Sequence, residues 1–77
     1  MDFVKILTDI ARAIVDNPDA VVVTEVVDGD DIELTLTVAE SDTGMVIGRH
    51  GRIAKAIRQV MKAAANTVGK HVTVEIR

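Results

Sequence analysis

The chain has 77 residues, 48% hydrophobic and 27% charged, which suits one small globular domain and excludes a disordered polypeptide. It has no cysteine, which excludes a disulfide framework or a thiolate metal site, and its single phenylalanine leaves the core to aliphatic side chains. The net charge of −3 conceals a division: residues 1–43 hold 2 basic and 11 acidic residues, net −9, whereas residues 44–77 hold 7 basic and 1 acidic, net +6.

Phe3, Ile6, Leu7, Ile10 and Ile14 recur at helical spacing, so residues 2–16 read as an amphipathic helix. Asp2, Asp9 and Asp16 interrupt it, so it is not read as an export signal, and no other run approaches membrane-spanning length. The expected location is therefore the cytoplasm, with no membrane partner. Asn17-Pro18 ends the helix, because the residue before proline disfavours the helical region. Ala20–Val27 is rich in valine and reads as a strand, followed by the turn cluster Asp28-Gly29-Asp30-Asp31. Ile32, Leu34, Leu36 and Val38 then alternate with polar residues through Ala39, giving a second strand and an antiparallel hairpin.

Ser41-Asp42-Thr43 offers N-caps for a short helix through about Ile47. After a glycine-containing bend, Arg52 to Ala65 is again amphipathic. Ile53, Ile57, Val60 and Ala64 share one face, with Lys55, Arg58 and Lys62 on the far, solvent side. Met45 and Met61 read as core fillers, and the acidic residues of the first half as a solubilising face. Asn66-Thr67-Val68-Gly69 closes the helix, and His71–Arg77 alternates as a last strand in which His71 has no special role. The expected class is α+β, order α-β-β-α-α-β, with a three-stranded mixed sheet and three helices on one face.

The bend itself is Val46-Ile47-Gly48-Arg49-His50-Gly51-Arg52-Ile53. Glycines let the backbone turn sharply and let a ligand approach closely. A helix that starts just beyond them aims its free N–H groups and positive dipole end at the same place, a natural seat for phosphate. Arg49, His50 and Arg52 add donors there, and Lys55 lies one turn further on. The same glycines could merely join two helices tightly, but a plain connection has no need of a basic pair. Residues 44–77 can hold phosphate despite the acidic total, since attraction follows local potential.

The aliphatic pair Val46-Ile47, the G-x-x-G of Gly48-Arg49-His50-Gly51 and the following Ile53 resemble the core motif of KH domains. With the element order, almost all of residues 1–77 resemble a single type II KH domain, and more narrowly the small stand-alone bacterial KH proteins that bind RNA. The resemblance implies single-stranded RNA clamped over about four nucleotides by its backbone. Gly48 and Gly51 would allow the approach, and Arg49 and His50 would point at phosphates. Ile47, with an aliphatic from the adjoining helix or the 32–39 strand, would floor a groove for bases. One aromatic residue cannot build the stacking platforms of other RNA-binding folds. In this family type the far side of the groove is bordered by the first hairpin loop. Here that loop is acidic, so it is expected to repel phosphate and confine the footprint to the glycine-loop side. A post-transcriptional or RNA-chaperone-like role follows, with homodimerisation, or pairing with a second KH-containing RNA-binding protein, raising weak binding through avidity.

No catalytic set stands out. Two histidines lie in separate elements without metal-ligand spacing, and Gly51 is followed by Arg52-Ile53 rather than by the lysine and hydroxyl residue of a P-loop. The expectation is no enzyme activity, metal or cofactor. The rival reading from a different class is a dimerising interaction subunit that recruits a larger RNA-binding partner. A third is a mononucleotide or metabolite site at the same loop.

Overall fold

The computed structural model describes all 77 residues. Asp2 opens α1 (Phe3–Ile14) by accepting the Lys5 N–H on its carboxylate at 3.0 Å. The helix is thus shorter at both ends than its periodicity predicts. Asp2 is the extended cap, and Val15 is extended so that its side chain turns into the core. A 3-10 turn, Pro18–Ala20, seats proline where no N–H is required and takes Ala20 out of the expected strand.

β1 (Val22–Asp28) and β2 (Asp31–Thr37) form the hairpin, closed by the pair Asp28 and Asp31. Gly29 takes φ 62°, the sign that a two-residue hairpin turn demands at its first position. A 3-10 turn, Glu40–Asp42, leads into α2 (Thr43–Ile47), and after the glycine bend comes α3 (Arg52–Asn66). Gly69, at φ 70°, reverses the chain; the Lys70 N–H donates to the Ala65 carbonyl at 3.0 Å and the Gly69 N–H to Asn66 at 3.3 Å. That is the Schellman termination, and it delivers the chain into β3 (His71–Ile76).

β2 is the central strand, antiparallel to β1 and parallel to β3. Register sorts the side chains. Ile32, Leu34 and Leu36 stand beside Val72, Val74 and Ile76 on one face; Glu33 and Thr35 stand beside Thr73 and Glu75 on the other. The first face is covered by the helices through Phe3, Leu7 and Ala11 of α1, Val46 of α2, and Ile57, Met61 and Ala65 of α3. The other face carries threonines, carboxylates, Val22 and Val26 and is largely open to solvent. Each buried leucine contributes roughly 1.5–3 kcal/mol. The architecture is the expected α+β arrangement.

Two expectations about side chains are corrected. The buried stripe of α3 is Ala54, Ile57, Met61 and Ala65, so the helix is rotated from the expected face and Ile53 and Val60 remain 39% and 52% exposed. Alanine at both ends of the stripe lets the helix sit close to its neighbours, which leaves the β-branched side chains on its flank. Met61 is wholly buried, but Met45 is 40% exposed and fills no core position.

Candidate nucleic-acid interface

α2 ends because Gly48 adopts φ 75° and ψ 173°, a backbone region open essentially to glycine alone. Its N–H still donates to the Gly44 carbonyl at 2.8 Å, so the break falls just past the helix. A Cβ at position 48 would lie 2.8 Å from the Ile53 Cβ and 2.9 Å from the Ile53 nitrogen. Gly48 is therefore needed twice, for its dihedrals and for the bulk of Ile53. Gly51 differs: at φ 72° and ψ 15° it is left-handed, but a Cβ there would meet open space. Between them His50 is itself left-handed, φ 58° and ψ 25°, and the Gly51 N–H closes onto the Gly48 carbonyl at 3.2 Å. Two consecutive left-handed residues then hand the chain to α3.

The result is a tight protrusion. Arg49, His50, Arg52 and Lys55 are all exposed, and none of their side chains forms a hydrogen bond or ion pair with the protein. No side chain caps the first turn of α3, so its leading N–H groups and positive dipole end also lack a side-chain acceptor. Ile47 is 39% exposed, like Ile53, whose side chain lies against Gly48. The apolar surface by the loop thus comes from α2 and α3. Ile32, Leu34, Leu36 and Val38, the alternative source from the second strand, are buried.

Arg58 departs from a plain solvent face. Its Nε donates to the Val74 carbonyl at 3.1 Å, over the outer edge of β3, while Lys55 and Lys62 stay free. The acidic hairpin lies away from the glycine bend. Lys70, just past α3, holds Asp30 at 3.0 Å, and the His71 N–H donates to the Asp30 carbonyl at 2.8 Å. Hairpin and glycine bend therefore occupy opposite ends of the 15-residue α3, about 20 Å apart at roughly 1.5 Å per residue. Repulsion from Asp28 and Asp31 acts at that far end. The hydrogen bond and positive charge of Lys70 hold the Asp30 carboxyl below the usual carboxylate range. A cavity of about 250 Å³ lies at this acidic end too, between Val26, Asp28, Asp31, Ile32, Glu33 and Thr73.

Periodicity and composition missed one residue. Asp42 is 1% exposed, the only buried charged residue, and not part of a solubilising face. Although it precedes α2, it makes no cap bond there. Its carboxylate instead accepts the Asn17 N–H and Asn17 Nδ2–H, each at 3.0 Å, and the Asp16 N–H at 3.4 Å. Elsewhere, no three of the His, Asp and Glu side chains converge as metal ligands, and no helix is long and apolar enough to cross a membrane.

The family model for the KH domain of KhpA/KhpB matches residues 4–76. The chain is 54% identical over 72 residues to the RNA-binding protein KhpA of Clostridium acetobutylicum, covering 94% of this chain and 96% of that one. It is 51% identical over 72 residues to the RNA-binding protein KhpA of Caldanaerobacter subterraneus subsp. tengcongensis, with the same coverage of 94% and 96%. A crystal structure of Era in complex with MgGDPNP and nucleotides 1506–1542 of 16S ribosomal RNA matches with a TM-score of 0.71 and 20% identity. The match covers 96% of this chain and 28% of that one, and at this identity it is a likeness of fold.

Proposed function

Because the chain belongs to the KhpA/KhpB KH-domain family, we propose that residues 1–77 act as one KH domain that binds single-stranded RNA by its backbone at Gly48–Gly51. The observation that carries this reading is the cations Arg49, Arg52 and Lys55 with the imidazole of His50, side chains exposed together with no partner in the fold, at a helix start with no side-chain cap. A cation without an internal partner keeps its full charge for a ligand, and Arg52 and Lys55 lie within the first turn of α3. The bend that Gly48 sets presents the loop to a phosphate, while Ile47 and Ile53 offer aliphatic surface for the bases. The binding is non-catalytic, as the names of the relatives also point to. A post-transcriptional or RNA-chaperone-like task in the cytoplasm fits a binder of this size and modest footprint.

The test is the variant Arg49→Asp/His50→Asp, which leaves both glycines in place. Titrated with a short oligoribonucleotide, it loses retention while its circular dichroism stays that of the parent. Undiminished binding refutes the site.

A second reading, self-association or pairing with another KH protein, is favoured by one surface. Ala56, Val60 and Ala63 follow one another at spacings of four and three along α3, and all are exposed. That is the spacing of a helix–helix seam. Such an interface supplies two glycine loops per assembly, which raises retention on longer RNA by avidity.

A further inference from the structure

We infer that Asp42 and Asn17 form a latch that sets the attitude of the glycine loop, which makes Asp42 a positioning residue for RNA binding. The inference rests on the clamp reading above. α2 has five residues, too few to hold a helical geometry alone. Its placement depends on what anchors it, and there are two anchors. Val46 is buried in the core on one side, and the Asp42 carboxylate is buried at the start. A buried carboxylate with no cation beside it is costly, and here three N–H donors from the end of the α1 segment offset that cost. The position just before a helix ordinarily suits aspartate because its carboxylate caps the helix. Asp42 forgoes that bond and reaches across 25 residues of sequence to Asn17.

The consequence is mechanical. α2 is a short arm with the latch at one end and Gly48 at the other, about 9 Å apart at roughly 1.5 Å per residue. Gly48 has no slack, because Ile53 packs against it. Tilting α2 therefore drags Gly48 and Arg49 away from the start of α3, separating the main-chain amides from the cations that would share one phosphate.

The experiment uses Asp42→Asn, Asn17→Ala, and the exchange Asp42→Asn/Asn17→Asp, in which an amide and a carboxylate still meet with sides reversed. Each is read by backbone amide NMR and by titration with a short single-stranded oligoribonucleotide, well below the melting temperature. Asp42→Asn is expected to shift the amides of Gly48–Arg52 and to weaken binding about tenfold, the size of a lost charge-assisted hydrogen bond. The exchange is expected to bring both back toward the parent. If Asp42→Asn proves unfolded, Asn17→Ala removes only the side-chain donor and carries the test, with the same loop shifts and a smaller loss. Unmoved loop amides, or an exchange that restores neither shifts nor binding, overturn the latch. Arg49→Asp/His50→Asp run alongside separates the two readings. Full binding by that variant sinks the clamp, whereas the loop amides report on the latch without RNA.

Discussion

The side chain of Ile53 lies against the α-carbon of Gly48, so that a Cβ on residue 48 would come within 2.8 Å of the Ile53 Cβ. This contact makes the two glycines of the loop unequal. Gly48→Ala meets both a glycine-only backbone region and the Ile53 side chain, and strain of that kind costs about 1–3 kcal/mol before the clash is counted. Gly51→Ala meets only the left-handed penalty, roughly 1–2 kcal/mol. The expected outcome is a larger fall in melting temperature and at least tenfold weaker RNA binding for Gly48→Ala. Gly51→Ala should stay within a few-fold of the parent. Thermal melts and oligonucleotide titration check both, and equal effects would show that the Ile53 contact has no energetic consequence.

A clamp on a few phosphates has a characteristic salt response. For single strands, log K falls with log salt by about 0.7 per neutralised phosphate, so two to four contacts give a slope of roughly −1.5 to −3. Arg49→Asp/His50→Asp should flatten that slope as well as weaken binding. A slope much steeper than −3 in the parent would mean that cations beyond the loop dominate.

Much of the fold was legible in the sequence because each element has a single period. Leu34 and Leu36 alternate with Glu33 and Thr35, and both leucines are buried; Phe3, Ile6, Leu7, Ile10 and Ile14 repeat at helical spacing, and Phe3 and Leu7 are buried while the three isoleucines are partly so. α3 was less legible, since Ile53, Ile57 and Val60 share one helical stripe and Ala54, Ile57, Met61 and Ala65 share another. Only packing decides between them, and hydropathy favoured the wrong one. Asp42 was illegible for another reason. A carboxylate is buried when donors surround it, and its donors are on Asp16 and Asn17, far away in sequence. The loop's location could be read from Gly48 and Gly51, but the different burden on each could not.

The methionines test the rotation of α3 and the surface of α2. Met61→Ala removes a fully buried side chain and should cost about 2–5 kcal/mol. Met45→Ala, at an exposed position, should stay within about 0.5 kcal/mol. Chemical denaturation of the two variants measures both, and comparable losses would contradict the burial difference.

The acidic end carries a pH signature. Lys70 holds the Asp30 carboxyl below its ordinary value by a hydrogen bond and by its charge. A carboxyl lowered on folding adds stability above the unfolded value, and that contribution fades as pH falls through the lowered one. Asp30 is exposed, so the effect on overall stability is small and the local titration is the better readout. In Lys70→Met the Asp30 side-chain carbon signal should titrate at higher pH than in the parent. An unchanged midpoint would mean that the bridge is not populated in solution.

Val60 separates assembly from RNA contact. It is 52% exposed on the outer flank of α3, in a seam with Ala56 and Ala63 and without a place in the core. A carboxylate there can be solvated in the monomer, so Val60→Asp should keep the melting temperature of a dilute sample near that of the parent. In an assembly joined by the seam, the same charge would be buried against apolar side chains at a cost of several kcal/mol. Light scattering at micromolar concentration is therefore expected to report a larger parent species and a monomeric variant. Oligonucleotides too short to reach two loops should bind both proteins alike, while longer ones should favour the parent. A parent that is strictly monomeric, or a Val60→Asp variant that still assembles, removes the seam from consideration and leaves the glycine loop to act alone.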